Sequence, residues 1–224
     1  MLSSDLTFSN HIKKVVKICR KQSGFIFRTF RTRSRETMMT LWTSMIQSRL
    51  DYCSQLYSPN NEGEIKLLED VQRSFTSRIF GLGEKNYRER LQELRLYSQE
   101  RRRERYAIIF IWKIAMGLVD GYHLPITSHI RRGRLCEVKS IPRLAPSPVQ
   151  RAVEASLAVK GAKLFNLMPA EVRNIDSKKI NVFKRALDNF LAGIPDEPTV
   201  EDQGRAALTN SLLHQIPIHF HNHY

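Results

Sequence analysis

Apolar positions recur along this chain at helical spacing. From Ser9 or Asn10, either able to cap a helix, Ile12, Val15, Val16, Cys19, Ile26 and Phe30 form one apolar stripe, with Lys13, Lys14, Lys17, Arg20 and Lys21 elsewhere around the same helix. Gly24 is a candidate interruption. The polar run RTRSRE connects to a second helix, expected from Glu36 to Tyr57 and stopped by Pro59, with Ile46, Leu50, Cys53 and Tyr57 as its buried side. Asn61 followed by Glu64 resembles a capping box and opens a third helix, striped by Leu68, Val71, Phe75 and Ile79 and ending at Gly81-Leu82-Gly83. A shorter helix, Tyr87 to about Leu94, buries Leu91 and Leu94.

Ser98 can cap the next helix, which opens on QERRRERY and passes into AIIFIWKIAMG. By periodicity alone Ile108 to Trp112 suits a strand as well as a helix; the helical lead-in and Gly117 favour a buried helix. Prolines and glycines between Asp120 and Ser147 predict a long loop with room for short strands such as LCEVK. Pro148 suits the first turn of a helix to about Asn166, ended by Met168-Pro169. A last helix, Ser177 to Ala192, shows Val182, Phe183, Ala186, Leu187, Phe190 and Leu191 on one face. Beyond Gly193 the pattern predicts a mobile tail. There is no internal repeat. The expectation is an all-α fold, a helical bundle over 1–119, a basic loop over 120–147, a helical C-terminal extension over 148–193, and a flexible tail over 194–224.

Composition sharpens this. With 224 residues and 42% hydrophobic content, the chain can bury a sizeable core. It has no apolar run of membrane-spanning length and no signal-peptide pattern at its start, so the expected location is the cytosol or nucleus, without a membrane partner. Cys19, Cys53 and Cys136 are odd in number and widely spaced, which predicts reduced, mostly buried thiols. Lys and Arg outnumber Asp and Glu 36 to 22, a net charge of +14 that favours polyanionic partners. The charge is uneven. Leu6 to Arg35 contains no acid, whereas the segment from Ile194 holds four acids against Arg205 alone.

Candidate catalytic residues do not assemble. Cys53 and Asp51 are two apart on the expected helix, so they face different ways, and no nearby His can serve as base. His219, His221 and His223 alternate and would point one way on a strand, but lack a fourth ligand and a supporting scaffold. Asp120 reads as part of a helix-ending turn, because two-metal phosphoryl transfer needs clustered carboxylates. Phosphate-loop, dinucleotide and nucleophile-elbow motifs are missing. No cofactor is expected. What remains are three basic clusters, Lys13 to Lys21, Arg101 to Arg105 and Arg131 to Arg134; one alone usually means a solvated face, and together with the net charge they suggest phosphate contact. Phe25, Phe27 and Phe30 beside the first cluster are spaced as core residues rather than base-stacking platforms.

The segments SSDLTFSNHIKKVVKICRKQSGFIFRTF, LDYCSQLYSP, LLEDVQRSFTSRIFGL, YRERLQELRLYSQERRRERYAIIFIWKI and LFNLMPAEVRNIDSKKINVFKRALDNF, in this order, resemble the C-terminal region of reverse transcriptases from jockey-like non-LTR retrotransposons. The resemblance covers roughly Ser3 to Phe190 and implies a thumb followed by a helical extension, positioned to grip template and primer. It implies RNA or an RNA–DNA hybrid as partner, possible pairing with the fingers and palm of a related polymerase, and backbone contacts from Lys13, Lys14, Lys17, Arg20 and Lys21. Arg101, Arg102, Arg103, Arg131, Arg132 and Arg134 join them on charge. The family's catalytic aspartates lie upstream of the matching segments, so the chain is expected to be a non-catalytic fragment. Phe165-Asn166-Leu167-Met168-Pro169 departs mildly from the family's Trp-containing pattern, and the tail from Gly193 has no counterpart. The rival expectation is a helical protein-interaction module or an inert relic of an element, exposing apolar surface that the missing parts would cover.

Overall fold

The computed structural model describes residues 8–57, 59, 61–121, 125–129, 133–138, 148–176, 179–198 and 210–221. The fold is mostly helical, with one short antiparallel pair of strands, and divides into two compact units: Met1–Glu100 with Glu197–Ala206, and Arg101–Asp196 with Ala207–Tyr224. The division falls inside a helix, after Glu100. The physical reason is that the arginines after Glu100, expected on a surface, turn into the second unit.

In the first unit, α1 (Ser9–Thr29) runs unbroken through Gly24, so the expected interruption is absent. Its stripe of Ile12, Val16, Cys19 and Ile26 is buried against Leu68, Val71 and Phe75 of α4 (Glu62–Thr76), which Asn61 caps by accepting from the Gly63 amide at 2.8 Å. Between them in sequence come α2 (Arg35–Leu41), a π-helical stretch (Trp42–Gln47) and α3 (Ser48–Asp51). Thr40, Thr43, Ser44 and Ser48 each return a hydroxyl to the carbonyl four residues back, an arrangement that competes with regular helix bonding. Trp42 and Phe27 both pack on Phe75, with ring centroids 5.0 Å apart in each pair.

The second helix does not reach Tyr57. It ends at Asp51, and Cys53 adopts a left-handed backbone with φ of 54°. Tyr57 is buried as expected but arrives by a turn, where its hydroxyl donates to the Leu50 carbonyl at 3.0 Å and satisfies one of the orphan acceptors of the helix end. Cys53 is therefore exposed, a correction to its expected place on the buried stripe. Likewise α4 stops before Gly81-Leu82-Gly83; Ile79 and Leu82 are still buried, from turns. Asn86 and Glu89 form a reciprocal capping box on α5 (Tyr87–Leu94).

α6 (Gln99–Ala115) is helical through Ile108 to Trp112. Its first amide, from Gln99, donates at 2.8 Å to the buried carboxylate of Glu69 on α4, while the Gln99 side chain bonds those of Gln47 and Gln72. In the second unit, the rest of α6 forms the core with α8 (Ala162–Leu167) and α10 (Ile180–Ala192). Trp112 stacks on Phe183 at 4.5 Å, and Ile108, Ile111, Leu164, Phe165, Leu187 and Leu191 are buried around them. β1 (Ile126–His129) pairs antiparallel with β2 (Gly133–Cys136), a strand two residues earlier than LCEVK begins. The expected helix from Pro148 to Asn166 is three pieces: α7 (Pro148–Ala155), a π-helical stretch (Leu157–Gly161) and α8 (Ala162–Leu167), broken where Ser156 is extended. Gly161 lies so close to α6 that a Cβ there would come within 2.8 Å of Leu157 and 3.1 Å of Ile111. α9 (Ala170–Arg173) and α10 (Ile180–Ala192) follow.

The expected loose tail is in part a structural element. Ile194 is buried, and α11 (Leu212–His221) contributes Leu212 and Ile216 to the second core. Glu104, itself buried, accepts from the Ser211 hydroxyl at 2.5 Å and the Leu212 amide at 2.8 Å, and Lys160 lies 3.3 Å from the same carboxylate. A helix N-terminus is thus held by a carboxylate more than a hundred residues away, a contact that local pattern does not reveal.

Candidate nucleic-acid interface

α1 presents its apolar stripe to the first core, and the spacing that puts Ile12, Val16 and Cys19 inside puts lysines outside. Lys13, Lys14, Lys17, Arg20 and Lys21 are all exposed. Four of the five, Lys13, Lys17, Arg20 and Lys21, line a groove of about 750 Å³ together with Gly24 and Arg28. Val16 and Leu67 supply its apolar floor. Among the described residues none of these cations lies within 4 Å of a carboxylate, and α1 contains no acid. Unpaired cations over a low-dielectric wall concentrate positive potential and leave their donors open to an anion. Lys14 lies outside the groove lining, and sequence reasoning missed Arg28 and Gly24. The signal for Arg28 was available, because it continues the helical spacing from Lys13 and Lys17 once the helix is known to pass Gly24.

In the second cluster Arg101 and Arg103, expected at a phosphate, are buried. Arg101 is fully buried; its guanidinium donates to the carbonyls of Ile194 at 3.3 Å and Pro195 at 2.9 Å and to the Gln215 side chain. Arg103 is also buried. Arg102 is half-buried with its guanidinium 5.3 Å from the Tyr106 ring centroid, and Arg105 makes a two-pronged pair with Asp188 at 2.5 and 2.7 Å. Arg101 and Arg105 thus direct their donors to acceptors within the unit. In the third cluster, Arg134 is half-buried and lies 3.5 Å from the Asp176 carboxylate, with its backbone amide bonded to Asn174. Arg131 and Arg132 lie outside the described residues.

The remaining candidates stay apart. The backbone over His219 and His221 is helical, so the strand alternation that a metal site required is not present; His223 lies outside the described residues. No three His, Cys, Asp or Glu side chains come together among the described residues. Asp120 sits in the turn after α6. No described helix is long and apolar enough to cross a membrane.

The three thiols differ. Burial pushes the Cys19 and Cys136 thiols up to about 11, from about 9. Since the folded state holds these protons more tightly, the stability they contribute is full below about pH 9 and is lost as pH rises toward 11. Cys53, exposed, is the thiol a reagent reaches. A chromogenic disulfide reagent at pH 8 is expected to release about one equivalent rapidly from the folded chain and three after denaturation; rapid release of three from the folded chain would contradict the burial of Cys19 and Cys136.

No family model matches the chain, and no solved structure matches it. In sequence it is similar to "Uncharacterized protein B0403.1" of Caenorhabditis elegans, 23% identical over 145 residues that cover 63% of this chain and 71% of that protein.

Proposed function

We propose that this chain binds the phosphate backbone of RNA or an RNA–DNA hybrid without reading its sequence, as a non-catalytic part of a retrotransposon-type RNA-directed DNA polymerase. The observation that carries the reading is the groove on α1, where five cations stand with no carboxylate partner among the described residues. The order of the five matching segments supports the polymerase origin, and nothing in the groove selects a base. Backbone neutralisation releases counterions, so affinity falls with salt by a log–log slope of about −0.7 per phosphate on single strands and about −0.9 on a B-form duplex. Fluorescence anisotropy with labelled oligonucleotides of unrelated sequence, across a salt series, tests this. Equal affinities with a steep slope are expected; salt-independent binding, or none by the folded chain, would overturn the proposal.

A second reading rests on exposed apolar side chains in the same unit. Phe80 is 84% exposed, Tyr52 75% and Leu56 72%. Such surface can recruit a protein, and an assembly mass that rises with concentration and ignores both nuclease and salt would favour an interaction module over a nucleic-acid binder.

A further inference from the structure

Gly24 lies in the interior of α1, where a glycine costs about 1 kcal/mol relative to alanine. The folded chain does not need it. The backbone there is ordinary right-handed helix, and the nearest heavy atom to a Cβ built at Gly24 is the Arg28 guanidinium, 3.9 Å away, an unstrained contact. By contrast, Gly161 and Gly133 are crowded against Ile111 and Asn174, so packing accounts for them. Gly24 instead lines the basic groove. Its neighbours along that face, Lys13, Lys17, Arg20, Lys21 and Arg28, follow spacings of four, three, one and seven residues, with Gly24 dividing the last interval. They therefore form a row of cations along about 22 Å of helix, roughly one level per 5.4 Å turn, interrupted at the level of Gly24.

We infer that a single phosphodiester strand lies lengthwise along α1, passing closest to the protein at Gly24, with Lys13, Lys17, Arg20/Lys21 and Arg28 serving successive phosphates. The inference rests on the proposed backbone binding and adds to it the path of the strand and a residue whose role is to be small. Four cation levels predict a salt slope near −3 on single-stranded RNA, from about −0.7 per phosphate. The missing side chain lets the strand settle between the Lys21 and Arg28 levels; a methyl there would hold it away and lengthen the ion pairs on either side, whose energy falls with distance.

The test compares the full chain with Gly24→Ala and Gly24→Leu, using a labelled single-stranded oligoribonucleotide and, in a second arm, an RNA–DNA hybrid of the same length. Both variants should melt above the parent, because either residue favours helix over glycine. Both should bind more weakly, Ala by about threefold to tenfold and Leu by more. A rise in melting temperature with unchanged or tighter binding would overturn the role of Gly24 while leaving backbone binding intact. Failure of the parent chain to bind either probe would overturn the proposed function itself. If only the hybrid binds, and Gly24→Ala leaves that binding unchanged, the lengthwise strand is wrong.

Discussion

Replacing Lys13, Lys17 and Lys21 with Glu is expected to weaken binding to single-stranded RNA at least about a hundredfold near 0.15 M salt and to flatten the log–log salt slope by about two. Each of these side chains is exposed, lines the groove and lacks a carboxylate partner among the described residues. The Lys13 and Lys17 levels lose their cation and the shared level is neutralised because a carboxylate at position 21 offsets Arg20, so about 0.7 of slope is removed at each of three levels, and the new carboxylates add repulsion in a concave, apolar-floored site where charge acts at lower dielectric than in bulk water. None of the three contributes to the core, so circular dichroism and melting temperature should be close to those of the parent. Lys14→Glu separates geometry from net charge: it alters the total charge as much as Lys17→Glu but falls outside the groove lining, and its effect should be several-fold smaller. Equal effects from Lys14→Glu and Lys17→Glu would mean that the chain attracts RNA by overall charge, not through a defined groove.

The second large effect concerns stability. Arg101→Ala is expected to destabilise the second unit by about 3–5 kcal/mol, as breaking a buried ionic or hydrogen-bonded arrangement commonly does. The substitution leaves the carbonyls of Ile194 and Pro195 and the Gln215 side chain without this donor and opens a cavity at a fully buried position. For a unit of this size the melting temperature of its transition should fall by more than about 10 °C. Arg101→Met keeps most of the volume and should lose less than Ala. The damage should also be local: hydrogen exchange of the Leu212 amide, bonded to Glu104 at the start of α11, should accelerate before that of α1. If Arg101→Ala instead weakens RNA binding with no loss of stability, Arg101 serves as a phosphate contact and not as a support of the second unit.

These two predictions separate two arginine- and lysine-rich runs that look alike as letters. Lys13 to Lys21 alternates with an apolar stripe that faces a core, so its charges are left for solvent or a ligand. Arg101 to Arg105 has no such alternation, since four of its five residues are charged arginines and the fifth is Glu104. Which of the arginines turn inward depends on acceptors brought by Asp188, Ile194, Pro195 and Gln215, all distant in sequence, while Glu104 is met by the Ser211 hydroxyl as donor. The same distinction explains the tail. Leu212 and Ile216 form too brief a pattern to announce a stable helix, and α11 is secured by Glu104 and by burial in a core built elsewhere.

Helix ends show a similar limit. Pro59 correctly marked the end of a segment, yet the chain left helical geometry at Asp51, and Tyr57 kept its buried place by supplying a hydroxyl to the Leu50 carbonyl. Both routes give the same apolar spacing, so periodicity could not tell them apart, and Cys53 was misplaced as a result. Gly24 was misjudged for the opposite reason: a local helix cost of about 1 kcal/mol was outweighed by burial of Ile12, Val16, Cys19 and Ile26 along the whole of α1.

By itself the sequence determined the helical class, most of the core positions, and the acid-free basic face of α1, because periodicity and charge are local properties of consecutive residues. The tertiary structure alone decided which basic clusters remain open to a ligand, where the two units divide, and that the segment near Leu212 joins a core. Each of these depends on a buried charge or helix end finding acceptors far along the chain, and the cost of leaving such groups unpaired is set by the fold.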